Sequence, residues 1–427
     1  MDPSTARDSV PTAPPDIWLT SARLTDGSTV DVLTGDGVVR RVVPAGGAAA
    51  TDQPAPALAG AAADGRRTLR VDLTGYLLLA APAEPHAHLD KSGTWDEIGP
   101  GSGELLDAVR AWERWSACRE REDIVLRAER TLALLVAHGA SAVRTHAAIH
   151  PEEEQPSAVS ALVELRERWR HRVRVQVVAM LSPWTPDGAA KRAIEAGADL
   201  LGGSPHRADD PGAEVRRLFD LAEALEVGLD VHTDESLTPS VHTLPLLADL
   251  VLSRGFPYPV TASHCVSLGQ LPAPTVGRTA ERLARAGIGV VTLPITNLYL
   301  QGRGLHPVPR GLTAVGDLLA HGVVVAGGGD NVADPFNPMG RADPLETASL
   351  LVTAAHLSVA EAWAAVSDGA RRVLGLAPAG PAPGMVADLL AVRASGLAEA
   401  IGQATEDRML FTAGRQVSKV TVRRELY

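Results

Sequence analysis

Six of the 13 histidines sit where apolar runs end: His86, His88, His146, His206, His232 and His264. His86 and His88 are one residue apart. In extended chain, residues i and i+2 point to the same side, so both imidazoles can meet one metal ion. The stretch "DVHTDE" (230–235) adds a third imidazole, His232, with Glu235 three positions on. "VVVAGGGD" (323–330) ends on Asp330, after three glycines that let the backbone come close to whatever sits there. Three imidazoles and one carboxylate make a mixed nitrogen–oxygen shell that suits a divalent ion such as Zn2+ or Fe2+. Such an ion brings the pKa of a bound water toward neutrality. Glu235 can carry protons beside it.

Each piece alone has an ordinary reading. His-x-His can be two polar residues at a strand end, and three glycines can mark a tight turn. Asp234 and Glu235 read as solvated loop acids. His264 is as readily structural as catalytic, and Cys265 beside it reads as a small buried hydrophobe.

The case rests on where the elements put these residues. Apolar β-type runs alternate with amphipathic helical stretches, the pattern of a parallel sheet with crossover helices. Eight runs are counted, at 76–82, 141–146, 175–180, 198–206, 228–235, 259–265, 287–294 and 322–330. Helical stretches follow them, at 103–120 with 123–138, then 156–170, 189–196, 212–226, 242–254, 276–286 and 313–321. Eight strand–helix units close a (β/α)8 TIM barrel, whose active site lies at the C-terminal ends of the strands. His86, His88, His232 and Asp330 then converge from strands one, five and eight. His146 and His206 share that face and can line the pocket.

A barrel of roughly 250–350 residues leaves a remainder for a satellite. Residues 1–15 read as a disordered tail. Short β-like segments at 16–73 and again at 380–427 pair most simply with each other, as one discontinuous β-sandwich domain around a barrel at 74–379. The stretch 45–65 is a low-complexity loop. Hydrophobic residues are 45% and aromatics only 4%, so the core must be Leu, Val, Ala and Ile. Trp112 and Trp115 are expected as packing residues. A net charge of −11 argues against nucleic acid or anionic membrane as partner. Two cysteines suggest a reduced, cytoplasmic setting. No apolar run reaches transmembrane length, and the N-terminus does not read as a secretory signal.

"EPHAHLDKS" (84–92), "DVHTDE" (230–235), "VTASHC" (260–265), "LPITNLYLQGR" (293–303) and "GGDNVADPFNPMG" (328–340) occur in that order. Together they resemble the cytosine deaminase branch of the amidohydrolase superfamily, over about 70 to 375. The resemblance implies a mononuclear zinc or iron site on His86, His88, His232 and Asp330. It makes Glu235 the proton shuttle and His264 a helper in activating water. It also implies a small heterocyclic substrate and a homo-oligomer. Lys91 resembles the lysine of related N-alkylammelide aminohydrolases; the plainer reading is a salt bridge to Asp90 or a neighbouring acid. Three positions depart from the cytosine pattern: Ser182 where that branch has glutamine, Phe336 where it has tryptophan, and Asn331 where it has a second aspartate. Gln301 is kept and can read a ring edge. These changes leave the chemistry intact but move the substrate away from cytosine. The expected reaction is hydrolytic loss of an exocyclic amine from an amino-substituted heterocycle or cyclic amidine. Release of an alkylamine or opening of a cyclic amide at the same site is the alternative, and a non-catalytic binding protein is a third.

Overall fold

A computed structural model describes residues 16–46, 68–99 and 101–427. The tail expected over 1–15 and most of the loop expected over 45–65 lie outside the described residues.

Two sheets organise the chain. The first joins the two ends. Strands β1 (Asp16–Arg23), β2 (Thr29–Gly35), β3 (Val38–Pro44), β4 (Thr68–Asp72) and β5 (Tyr76–Ala80) come from the N-terminal side. The later strands β14 (Leu389–Arg393), β15 (Arg408–Thr412) and β16 (Arg415–Val420) complete a mixed eight-stranded sheet in the order β16-β15-β14-β5-β1-β2-β3, with β4 parallel to β1. The join is the antiparallel β5–β14 pair. This satellite has its own core, including Ile17, Leu19, Val32, Tyr76, Leu78, Leu389 and Phe411.

The second sheet is the barrel. Eight parallel strands pair in sequence: β6 (Glu84–Ala87), β7 (Ala142–Ala148), β8 (Arg174–Leu181), β9 (Leu200–Gly203), β10 (Gly228–Thr233), β11 (Val260–His264), β12 (Gly289–Thr292) and β13 (Val325–Gly327). A bridge between Ala87 and Asp330 closes the ring: Asp330 N donates to the His86 carbonyl at 3.0 Å, and His88 N to the Asp330 carbonyl at 3.3 Å. The expected (β/α)8 barrel is therefore present.

Its first strand needs correction. The run 76–82, expected as strand one of the barrel, supplies β5 of the satellite, and the barrel opens instead at Glu84. Both faces of β5 are covered, which explains the unbroken apolar run. Tyr76 and Leu78 point into the satellite core, while Leu77 and Leu79 pack on the barrel's core. A strand buried on both faces reads the same in either sheet.

Candidate active site

The seam that closes the barrel also carries the chemistry. His86, His88 and Asp330 meet there, and His232 arrives from the end of β10. All four are buried. His88 Nε2 lies 3.1 Å from His232 Nε2. Asp330 Oδ1 lies 3.4 Å from His88 Nε2 and 3.6 Å from His86 Nε2. His86 Nε2 and both Asp330 carboxylate oxygens are buried without a hydrogen-bond partner. Buried polar atoms of this kind are nearly always satisfied. Lone pairs turned toward one point, with no proton donor between them, are the donor set a cation takes.

Electrostatics agree. Burial first, then the neighbouring His146, holds His86 and His232 well below the ordinary imidazole range. Burial and Lys91 do the same to His88. The imidazoles are thus neutral, the form that binds metals. Burial, and then Asp334, pushes the Asp330 carboxyl up to about 8. A divalent ion would hold it ionised.

The seam also explains the glycines. A side chain at Gly328 would come within 2.8 Å of Glu84 Oε1 and 2.9 Å of Leu293, and one at Gly327 within 2.7 Å of Leu351. Gly329 N donates to both Glu84 oxygens, at 3.0 and 3.1 Å, and His86 N to Oε1 at 3.1 Å. Glu84 therefore ties the two sides of the seam together, a role no motif reading supplied. Asp330 itself has φ +62°, and His264 +68°. Non-glycine residues held in the left-handed region are strained, and such strain clusters at functional sites.

Beneath the cluster runs a buried chain of polar groups. Ser263 Oγ accepts from His86 Nδ1 at 3.0 Å and donates to Asp230 Oδ1 at 3.0 Å. Arg144 holds the other Asp230 oxygen at 2.8 Å and also donates to Thr261 Oγ1 and the Val373 carbonyl. Burial pushes the Asp230 carboxyl up, but His146 and Arg144 outweigh it and leave the group below its ordinary value. The relay fixes the His86 tautomer, with the proton on Nδ1 and the lone pair on Nε2. His86, His146 and Asp230 form a second set within metal-binding distance of one another. The Arg144 guanidinium already occupies the charge there. His146 accordingly lies behind the cluster, not on the cavity wall.

A cavity of about 330 Å³ opens onto the cluster. Glu235 lines it, with Oε1 3.4 Å from His264 Nδ1 and Oε2 3.8 Å from His206 Nε2. Burial, then the Asp330 charge, holds the Glu235 carboxyl well above its usual range. His206 Nδ1 donates to the His232 carbonyl at 3.3 Å, which leaves Nε2 as an acceptor facing the cavity. Burial drives the His206 pKa down to about 4, so the ring is neutral. Asn297 approaches His264 Nδ1 at 3.1 Å. It belongs to the "LPITNLYLQGR" stretch but was given no role there.

The wall residues expected from sequence divide. Lys91, Phe336, Asn331, Ser182 and His206 line the cavity. Gln301 is not among its lining residues; it caps the helix Pro294–Leu300 beside Gly311. Ser182 is engaged, its Oγ paired with Thr185 Oγ1 at 2.9 Å. Asn331 Nδ2 donates to Asp334, which also takes Phe336 N and so sets the ring in the wall. The expected Lys91–Asp90 pair does not form. Asp90 goes to Arg119 and to Ala148 N, while Lys91 Nζ lies 4.6 Å from the Phe336 ring and 5.3 Å from Trp112. Trp112 packs as expected but is also cavity wall. Trp184, Arg207 and Glu113 at the mouth had no signal in the sequence beyond their types.

A family model described as "Amidohydrolase family" matches residues 116–417. The chain belongs to that family. The amidohydrolase resemblance and the (β/α)8 fold expected above are both present. A pterin deaminase of Rhizobium rhizogenes strain K84 is 31% identical over 405 residues, covering 91% of this chain and 88% of that one. Among solved structures, 5-methylcytosine deaminase from Klebsiella pneumoniae liganded with 5-fluorocytosine superposes with a TM-score of 0.83, at 27% identity over 96% of this chain and 99% of that one. N-isopropylammelide isopropylaminohydrolase from Burkholderia multivorans follows, with a TM-score of 0.77 at 26% identity, covering 95% and 99%. In this amidohydrolase, His86, His88 and His232 lie close enough together to hold a metal ion.

Proposed function

We propose that this amidohydrolase removes the exocyclic amino group of a fused, oxo-bearing aminoheterocycle of the pterin type, using one zinc or iron ion held by His86, His88, His232 and Asp330. The observation that carries the reading is the convergence of the buried ligand atoms of His86, His88, His232 and Asp330 beside a cavity that Glu235 and Lys91 line. The ion, when bound, would supply an acidified water as nucleophile. The net change is simple: a C–O bond forms, the C–N bond to the amine breaks, and nothing is oxidised or reduced.

The residues divide the remaining work. Glu235 takes a proton from the attacking water, gives it to the ring nitrogen beside the attacked carbon, and passes the second water proton to the leaving amine. His264, within reach of Glu235, shares that proton traffic. His206 Nε2 can accept an N–H of the substrate. Lys91 donates to a ring oxygen, and its place between two aromatic rings keeps it aimed inward. Phe336 and Trp112 face the ring plane. Ser182 and Asn331 are wall residues with their polar atoms engaged. A cavity of about 330 Å³ holds more than a single six-membered ring, which supports the fused system.

Lys91, with the N-isopropylammelide aminohydrolase likeness, favours a second reading in which an alkylamine leaves from the same carbon. Both cysteines are free, Cys118 exposed and Cys265 buried, which supports a cytoplasmic setting. Among the described residues no helix is long and apolar enough to cross a membrane. Family likeness supports a homo-oligomer.

The test is ammonia release from pterin, isoxanthopterin, cytosine, 5-methylcytosine, isoguanine, ammelide and N-alkylammelides, with bound metal quantified. Ammonia from a fused ring, lost in Glu235→Gln, is expected. Turnover of the single-ring amines alone would refute the fused-ring assignment, and alkylamine release would select the second reading.

A further inference from the structure

Glu235 faces the same cavity as His232, although the two are three residues apart. In a continuing strand, alternate side chains point to opposite faces, so a residue at i+3 would point away from the site. One residue breaks the alternation. Asp234 has φ +53°, a left-handed conformation that Asp and Asn tolerate better than other side-chain-bearing residues. The turn at Asp234 exchanges the two carboxylates: Glu235 is brought into the cavity, and Asp234 is directed behind the barrel wall.

What holds Asp234 there is specific. Its carboxylate accepts Thr243 N at 2.8 and 2.9 Å, Thr243 Oγ1 at 2.8 Å and Leu244 N at 3.2 Å, at the start of the helix Leu244–Arg254. His242 Nδ1 stands 3.6 Å away. The Asp234 carbonyl accepts Ser267 N at 3.1 Å, from the segment after His264. Asp234 is 1% exposed. Residues 235–243 thus form a loop whose two ends are clasped by one side chain, and Glu235 is the first residue inside the clasp.

We infer that Asp234 is the positioning residue for Glu235: its carboxylate anchors the left-handed turn to the following helix and so fixes the direction of the proton carrier. It touches neither substrate nor metal. This rests on the proton-carrier reading of Glu235 given above.

The test compares Asp234→Asn, Asp234→Gly, Thr243→Val and Glu235→Gln in the metal-loaded full chain, reading kcat, KM and bound metal. Asparagine keeps the turn preference and a carbonyl acceptor, so kcat stays within about tenfold of wild type. Glycine permits the turn but has no anchor, and kcat falls about 100-fold, the scale of an ångström-sized misplacement, with KM and metal content unchanged. Thr243→Val removes one donor from across the loop without touching Asp234. It loses about threefold in kcat, and it keeps the idea testable where Asp234→Gly does not fold. A glycine or valine variant with wild-type kcat would overturn the anchor. So would a loss that tracks lost metal, since Asp234 would then act through His232. A fully active Glu235→Gln would instead sink the proton-carrier reading, whatever the Asp234 variants do.

Discussion

Replacing Ser263 with alanine removes one hydroxyl, and its effect can be worked from the relay beneath His86. That hydroxyl accepts the His86 Nδ1 proton and passes its own to Asp230, both at 3.0 Å. In Ser263→Ala the fully buried His86 loses its only acceptor and the constraint on its tautomer. Leaving a buried donor unpaired costs about 1–3 kcal/mol. Binding metal demands the lone pair at Nε2, so most of that cost falls on the metal-bound state. At roughly 1.4 kcal/mol per tenfold, metal affinity drops about 10- to 100-fold, the range found for outer-shell partners of metal-binding histidines. The assay is competition against a chromophoric chelator, with Ser267→Ala as control. Ser267 is a buried hydroxyl nearby that makes no hydrogen bond, so its loss leaves affinity unchanged. At saturating metal, Ser263→Ala regains most of its activity. A well-folded Ser263→Ala chain with wild-type metal affinity would refute the relay.

Other outcomes follow from the same geometry. Asp330 and Glu84 carboxyls, both pushed up to about 8 chiefly by burial, keep protons in the folded metal-free chain that the unfolded chain releases near pH 4. The buried neutral histidines add stability as pH rises to about 6.5, where the unfolded imidazoles lose their protons; above about 6.5 the two carboxyls dominate, so stability of the metal-free chain falls as pH rises from about 6.5 to 8, and metal uptake near neutrality releases protons into weakly buffered solution. A metal-free melting temperature that climbs over this window would contradict the assignment. Lys91→Met removes the inward-facing ammonium and raises KM for oxo-bearing rings about 10-fold or more, consistent with a charged hydrogen bond of about 1.5–3 kcal/mol; steady-state kinetics with metal content checked would show it. Arg144→Met strands Asp230 in the barrel centre and destabilises the chain by about 3–5 kcal/mol, read by denaturant unfolding. An unchanged unfolding midpoint would show that the charge is compensated elsewhere.

The ligand residues were legible because strand period and residue type act together: His86, His88, His232 and Asp330 each end an apolar run, and only the right barrel face brings them together. The first strand was misread because β5 is covered on both sides, and periodicity cannot tell which sheet covers it. The supporting groups were harder. Glu84 and Ser263 act through contacts between segments far apart in sequence, and single residue types carry no trace of such pairing. Gln301 and Ser182 show the limit of carrying a motif over by position. The first caps a helix, and the second spends its hydroxyl on Thr185.

The central claim is that one divalent ion, held by His86, His88, His232 and Asp330, makes the nucleophile for amine release. The most direct test strips the chain with chelator and titrates Zn2+ or Fe2+ back while following ammonia release. Activity should vanish on stripping and rise linearly to a break at about one ion per chain, as for a mononuclear catalytic site. In Asp330→Ala that rise should be absent. Activity that survives stripping, or a break at two ions, would contradict the account.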